Sequence, residues 1–251
     1  MLRRSIVVVA VLAAMLASSQ LSASAGHSWS GYHWDDHDGT VELVVVNDLT
    51  TYQTEFGQAL ADWNQSPSPL NLAIQSGISR PAACDNDGTD GAGTQIVGEI
   101  HVCNDYYGEN GWLGLARIWL TADGHIEAGV TLMNDSYLQS GTYNDPVAWR
   151  HVMCQEIGHD VGLGHVGGPK KRSCMNDRWG LFDKRYVSPD GHDYDQLNTI
   201  YGGSSSGDGG GDPKPCRNPR RCGVGAHDVQ VTPRPGGGSI VTFTYDIEHQ
   251  R

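Results

Sequence analysis

This sequence has no long apolar run, and it has few basic residues. No apolar run reaches the about 20 residues that a membrane-spanning helix needs, and the run at residues 6–17 is too short. Basic residues are scarce, because 17 Lys and Arg stand against 29 Asp and Glu, for a formal net charge of −12. An acidic chain is a poor candidate for binding nucleic acid or anionic membranes. The sequence therefore predicts neither partner, and it shows no internal repeat.

The first 25 residues have the pattern of a secretory signal peptide. Arg3 and Arg4 form a basic start, residues 6–17 are apolar, and Ala23 and Ala25 flank Ser24 in a small-x-small cleavage signal. The alternative is a membrane anchor, which the short apolar run disfavours. We therefore expect cleavage after Ala25 and a secreted, extracellular protein.

Six cysteines in an exported chain predict disulfide bonds. Proximity in the sequence favours three pairs: Cys84 with Cys103, Cys154 with Cys174, and Cys216 with Cys222.

The N-terminal half has the hydrophobic pattern of an α/β fold. Residues 41–46 and 70–74 are predicted strands. Between them, Thr50 or Thr51 is expected to cap a helix that ends near Asn64. A strand, a helix and a second strand at this spacing predict a right-handed βαβ unit.

The second half adds strands, one long helix and a tail. Strands are predicted at residues 94–102, 117–121 and 126–132, and Asp145-Pro146 starts a helix that ends near Val161.

The predicted domain boundaries follow from a change in composition. Residues 202–215 form a Gly- and Ser-rich linker between a main domain, 26–201, and a small tail, 216–251. Residues 229–232 and 240–245 of the tail are predicted to form a β-hairpin, which either packs on the main domain or stays loosely tethered.

The segment at residues 85–91 is acidic and rich in glycine. Asp85, Asp87 and Asp90 offer hard oxygen ligands at spaced positions, so the segment is a candidate Ca²⁺ loop. It lacks the remaining ligands of an EF-hand, and a solvated turn is the alternative.

The strongest chemical signal lies in the helix at residues 146–161. Gln155 and His159 are four residues apart, so both side chains can point at one ion. Glu156 lies beside them, and Gly162 lets the chain turn so that His165 can return as a third ligand. Three protein ligands and one open position suit a catalytic zinc ion, and Glu156 is placed to act as a general base.

Met175 follows soon after His165 in a predicted tight turn, where it can form an apolar floor beneath the metal. A bridge between Cys154 and Cys174 would tie this turn to the helix.

These residues resemble the motif of the metzincin zinc proteases, H-E-x-x-H-x-x-G-x-x-H followed by a Met-turn, and in particular that of the matrixin-like members. Gln155 stands where the motif has its first histidine. The likeness extends over residues 32–201 and includes residues 111–114, 126–134 and 192–201.

The resemblance implies an α/β (α+β) fold with a twisted, mostly parallel sheet, a site helix beneath it and a closing helix at residues 192–201. It implies that residues 126–134 are an antiparallel edge strand, which pairs with an extended peptide substrate. It further implies a zinc-dependent endopeptidase with Gln155, His159 and His165 as metal ligands. We expect a monomer.

The glutamine leaves the activity open. A neutral amide should bind Zn²⁺ more weakly than imidazole. His151 cannot replace it, because His151 and His159 lie about 12 Å apart along the helix axis. Asp177 is disfavoured as a direct ligand. Retention of Glu156 favours an active enzyme over a peptide-binding pseudoprotease or a purely structural secreted domain.

Two further segments have ordinary interpretations. Residues 219–224 are similar to the cysteine switch of matrixins, but a small loop closed by Cys216 and Cys222 is favoured. Residues 33–38 could be a metal cluster, but a solvated segment leading into the first strand is favoured.

Overall fold

Strands and helices alternate through most of the chain in the computed structural model, which describes residues 31–35, 39–77, 82–85, 94–202 and 229–247. The strands are β1 His33–Trp34, β2 Val41–Asn47, β3 Leu70–Ser76, β4 Glu99–Asp105, β5 Trp112–Leu120, β6 His125–Asn134, β7 Val229–Pro233 and β8 Ser239–Asp246. The α-helices are α1 Gln53–Trp63, α2 Asp135–Leu138, α3 Pro146–Asp160 and α4 Gly191–Tyr201. No helix in these ranges is long and apolar enough to cross a membrane.

All the described strands belong to one mixed sheet with the order β3-β2-β4-β6-β5-β8-β7, and β1 adds a short parallel pairing to β6. The strands β3, β2, β4 and β6 are parallel to one another, whereas β5, β8 and β7 join by antiparallel pairing. The α/β class, the mostly parallel sheet, the closing helix and the C-terminal hairpin are confirmed.

The first βαβ unit is formed by β2, α1 and β3, and α1 buries Phe56, Ala59, Leu60 and Trp63 on one face. The predicted threonine cap of α1 is wrong. Tyr52 occupies the cap position in a left-handed conformation, and no side chain caps the helix. Thr50 is engaged elsewhere, because its backbone N–H donates to Asn104 Oδ1 over 2.7 Å.

The predicted position of the edge strand is also wrong. Residues 126–134 belong to β6, which lies inside the sheet between the parallel β4 and the antiparallel β5. The strand that runs antiparallel beside the parallel set is β5. Both strands are apolar and buried, so their sequences carry no signal that tells an inner strand from an edge.

The C-terminal hairpin, defined here as β7 and β8 with their connecting turn, extends the sheet beyond β5. In the pairing of β5 with β8, Ala116 lies opposite Phe243 and Ile118 opposite Val241. Val241, Phe243 and Tyr245 are buried in the main apolar core. The predicted hairpin is therefore part of the sheet of the main domain.

Helix α3 begins as expected, with Pro146 in its first turn and the Asp145 side chain accepting a hydrogen bond from Val147 N–H. It packs against α1 on one side and against β5, β6 and β8 on the other. The Trp63 indole N–H of α1 donates to the Cys154 carbonyl over 3.0 Å. The second half of α3 is consequently buried on every face.

The structure contains the disulfides Cys84–Cys103 and Cys154–Cys174. The third expected pair, Cys216 and Cys222, lies outside the described residues, as do the predicted signal peptide and residues 203–215 of the predicted linker.

Two helical glycines give opposite predictions for substitution by alanine. A Cβ at Gly57 in α1 meets nothing within 4 Å. Gly57→Ala should therefore raise the free energy of unfolding by roughly 1 kcal/mol, because alanine has the higher helix propensity. A Cβ at Gly158 in α3 would lie 2.4 Å from Met175 Sδ and 2.7 Å from Trp63 Cζ2. Because overpacking costs about 1–3 kcal/mol, Gly158→Ala should lower the free energy of unfolding.

Urea titration of the metal-free protein checks both variants against the wild type. An equal gain in stability from both substitutions would contradict the tight packing of Met175 against α3.

Candidate functional site

The last turns of α3 place polar side chains in the interior of the protein. Gln155 and Glu156 have 0% exposure and His159 has 1%. Burying such groups is unfavourable unless they find hydrogen bonds, charges or a metal ion. Their concentration on one stretch of helix marks this place as the candidate functional site.

The rings of His159 and His165 converge, with their Nε2 atoms 2.9 Å apart. His159 Nδ1 lies 2.8 Å from the Leu163 carbonyl oxygen. A carbonyl can only accept, so Nδ1 carries the proton and Nε2 presents its lone pair. The Asp177 carboxylate lies 3.7 Å from His165 Nδ1 and favours the same tautomer there. Two lone pairs that face each other need a cation or a shared proton between them.

The chain returns to the helix through a turn at Gly162, which has φ of +94°. Its N–H donates to the His159 carbonyl over 3.0 Å. A side chain here would meet the Tyr32 carbonyl oxygen at 2.3 Å. The turn therefore needs glycine, and it brings His165 back beside His159.

Gln155 lies one helical turn before His159. Neither its Oε1 nor its Nε2 has a hydrogen-bond partner among the residues that the structure describes. An unsatisfied buried amide costs about 1–3 kcal/mol. We therefore expect this side chain to bind a partner other than the described protein atoms. A metal ion would provide one for Oε1. Two imidazole nitrogens and one oxygen form a donor set that suits Zn²⁺.

Glu156 faces β5 at Gly114. A Cβ added to Gly114 would lie 2.8 Å from Glu156 Oε1 and 2.4 Å from Val152 Cγ1. The pairing of β5 with β8 shifts register between Trp112 and Leu115, so Gly114 lies in an irregular stretch of β5 next to the carboxylate. Only glycine allows this close approach, which positions the Glu156 carboxylate beside the strand.

Met175 lies under α3, as its close approach to Gly158 shows. The turn that carries it is closed by a hydrogen bond from Asn176 N–H to the Ser173 carbonyl over 3.1 Å. The Met175 carbonyl accepts from Val166 N–H over 2.8 Å, which joins the turn to the segment of His165. The Cys154–Cys174 bridge joins the same turn to the helix.

Two buried titratable groups flank the site. Burial lowers the pKa of His151 to about 4, so this imidazole is neutral at pH 7. His151 is fully buried in the first half of the same helix. Burial also raises the pKa of the Asp160 carboxyl well above its usual range. The Thr131 hydroxyl donates to Asp160 Oδ2 over 2.7 Å.

No pattern in the sequence indicated which residues cover the site. The Phe243 ring of β8 stacks on the His159 ring, with centroids 4.2 Å apart and planes 6° from parallel. The Tyr245 hydroxyl oxygen lies 3.3 Å from His151 Nε2. These contacts join residues that are 84 and 94 positions apart in the chain, and no local pattern reveals such pairs.

Two other groups of ligand-type side chains in the described ranges have structural roles. Asp190 and Asp193 form the capping box of α4, next to His192. Asp48 lies near Cys84 and Cys103, but those sulfurs form a disulfide and are not thiolates. Of the candidate calcium ligands, Asp85 is described, while Asp87 and Asp90 lie outside the described residues.

The comparisons with known proteins are distant. No family model and no curated protein matches the chain. High choriolytic enzyme 1, a hatching enzyme zinc-protease from the medaka fish Oryzias latipes, is 10% identical with a TM-score of 0.39, over 69% of this chain and 96% of its own. Archaemetzincin from Archaeoglobus fulgidus, solved with malonate, is 11% identical with a TM-score of 0.35, over 62% of this chain and 99% of its own. Likeness at this level carries no argument about activity.

The unpartnered amide of Gln155 gives a prediction for metal affinity. Imidazole suits Zn²⁺ better than a neutral amide oxygen, so Gln155→His should bind Zn²⁺ roughly tenfold more tightly, or by about 1.4 kcal/mol. Competition with a chromophoric chelator measures the change.

Gln58→His is the matched control, because Gln58 is exposed on α1 and should leave the affinity of the site unaltered. If Gln155→His also leaves it unaltered, Gln155 is not a ligand.

Proposed function

We propose that the protein is a secreted zinc-dependent endopeptidase. Gln155, His159 and His165 hold the metal, and Glu156 is the general base. The observation that carries the proposal is the convergence of two oriented imidazole nitrogens beside a buried carboxylate and a buried amide that has no hydrogen-bond partner among the described residues. No structural role explains all four side chains together.

A bound zinc ion would polarise the scissile carbonyl and lower the pKa of a water molecule toward neutrality. The protein's own groups do the rest. The Leu163 carbonyl holds the His159 ring, and Asp177 lies beside the far nitrogen of His165. Such partners fix the orientation of metal-binding rings and raise their basicity.

Glu156 acts on the proton of the attacking water. Its carboxylate accepts that proton and delivers it to the nitrogen of the leaving amine, which is ordinary general acid–base catalysis. Gly114 and Val152 pack against this side chain and limit its movement. Exclusion of solvent by β5 strengthens the electrostatic interactions of the carboxylate.

The peptide substrate would pair with β5 rather than with residues 126–134. β5 passes directly over Glu156 at Gly114, and its outer neighbour is β8 of the C-terminal hairpin, whereas β6 lies between β4 and β5 inside the sheet. An extended peptide adds to a strand edge through backbone hydrogen bonds, and at β5 it would take the place of β8. The outer edge of β5 is therefore the proposed binding edge for an extended peptide.

Secretion belongs to the proposal as well. The basic start, apolar run and small-x-small signal of residues 1–25 support it, and disulfides such as Cys84–Cys103 and Cys154–Cys174 persist in oxidising compartments.

A pseudoprotease that binds metal and peptide without cleavage is the second candidate. Gln155 favours it, because a neutral amide in place of imidazole weakens the metal site. The two candidates differ in hydrolysis and agree in metal binding.

Substitution of Glu156 separates the general base from the metal ligands. Glu156→Gln should reduce hydrolysis of casein by roughly 10²–10⁴-fold, the usual contribution of a general base, with zinc content unchanged. Glu42→Gln is the control, because Glu42 is exposed on β2, and it should keep both properties.

Chelation should abolish the wild-type hydrolysis, and added zinc should restore it. Zinc without any hydrolysis would favour the pseudoprotease. Hydrolysis that survives both the chelator and Glu156→Gln would contradict the proposed mechanism.

A further inference from the structure

The proposed peptide-binding edge of β5 is already paired. β8 runs antiparallel along it, with Leu120 opposite Ser239 at one end and Leu115 opposite Thr244 near the site. In the centre, Arg117 Nε donates to the Thr242 hydroxyl over 2.9 Å. The chain's own C-terminal strand thus holds the place that an added peptide strand would take.

β8 also covers the catalytic side chains. Val241, Phe243 and Tyr245 alternate along the strand and are at most 1% exposed. Phe243 stacks on His159, and the Tyr245 hydroxyl lies beside His151. Because β8 covers this side of the site, a peptide cannot pair with β5 at Glu156 and His159 while β8 is in place.

The hairpin can leave without disturbing the rest of the described sheet. It stands at the end of the strand order, and among the described strands β7 pairs only with β8. Separation of β8 from β5 therefore breaks one strand pairing and leaves the pairings of β1 to β6 intact. It also exposes the apolar side chains of β8, so the closed state is favoured in the isolated chain.

The turn of the hairpin has contacts of its own with β5 and β6. Arg234 forms an ion pair with Glu127, and Arg234 Nη1 donates to the Leu120 carbonyl over 3.2 Å. Gly238, with φ of +80°, sits so close that a Cβ would lie 2.1 Å from the Leu120 carbonyl oxygen. These contacts are far from the metal-binding side chains along β8, so the docking of the hairpin can be changed without touching the site.

We infer that the C-terminal hairpin is an intramolecular occupant of the peptide-binding edge, and that β8 must leave β5 before a substrate binds. The inference rests on the proposed function, and it also names the class of substrate. The peptide is extended, runs antiparallel to β5 and carries large apolar side chains at alternate positions. An aromatic side chain takes the place of Phe243 against His159.

A matched pair of glycine substitutions in the turn tests this inference. Gly236 and Gly238 have φ of +90° and +80°, so alanine is strained at both positions. A Cβ at Gly236 meets nothing within 4 Å, whereas one at Gly238 meets the backbone of β5. Gly238→Ala therefore weakens the docking of the hairpin, and Gly236→Ala reproduces only the strain.

The measurement uses the zinc-loaded full chain and a fluorescein-labelled peptide with the sequence of residues 239–246, followed by anisotropy. We expect Gly238→Ala to bind this peptide at least tenfold more tightly than the wild type does. Gly236→Ala should bind as the wild type does, and a scrambled peptide should bind to neither variant. Hydrogen exchange should quicken in β8 of Gly238→Ala and stay slow in α3.

Arg234→Gln is a second variant that introduces no backbone strain. It removes the ion pair with Glu127 and the bond to the Leu120 carbonyl, so it should also increase peptide binding. If neither Gly238→Ala nor Arg234→Gln binds the peptide better than the wild type, the hairpin is a permanent part of the sheet and the inference is overturned.

Anisotropy reports binding without cleavage, which keeps this inference distinct from the proposed activity. If loosening the hairpin increases peptide binding but no hydrolysis is seen, the inference is supported and the proposed endopeptidase activity is contradicted. Equal rates of peptide hydrolysis in the wild type and in Gly238→Ala support the endopeptidase and overturn the inference.

Discussion

The burial of the second half of α3 is the constraint on which the rest of the structure depends. The helix lies between α1 and the sheet, and its polar side chains therefore meet protein instead of solvent. Neighbouring segments must approach it closely, which leaves room only for glycine at Gly114 on β5 and at Gly158 on the helix itself. The same burial orients His159, because its Nδ1 finds the Leu163 carbonyl and its Nε2 is directed at His165.

Local features of the fold were predictable from the sequence because they depend on nearby residues. Asp145 and Pro146 predict the start of α3, and the largely apolar run at residues 41–46 predicts β2. The i and i+4 spacing of Gln155 and His159, with a glycine before His165, also follows from local geometry.

The remaining features depend on contacts between distant parts of the chain. The apolar sequence of residues 126–134 suits an edge strand as well as an inner strand. Only their pairing with β4 and β5 shows that they lie inside the sheet. Thr50 is of a residue type that often caps helices, but its backbone N–H donates a hydrogen bond to Asn104 on β4. Phe243 gives no local sign that it stacks on His159.

The site combines features that favour catalysis with features that restrain it. The paired imidazoles and the buried Glu156 are suited to a hydrolytic metal site, while a glutamine ligand would weaken metal binding and β8 covers the proposed binding edge. Taken together, these features support the proposed endopeptidase and the inference that its own C-terminal strand holds it closed. In the proposed secreted protease, such a restraint would limit cleavage before the hairpin is displaced.

The central claim is that Gln155, His159 and His165 hold a single zinc ion, and X-ray absorption at the zinc edge tests it most directly. For the zinc-loaded wild type, the account predicts two imidazole nitrogens in a four-coordinate shell, at about 2.0–2.1 Å from the metal, with oxygen completing the shell. For Gln155→His it predicts three imidazoles. The same number of imidazoles in both proteins, or the absence of stoichiometric zinc from both, would contradict the account.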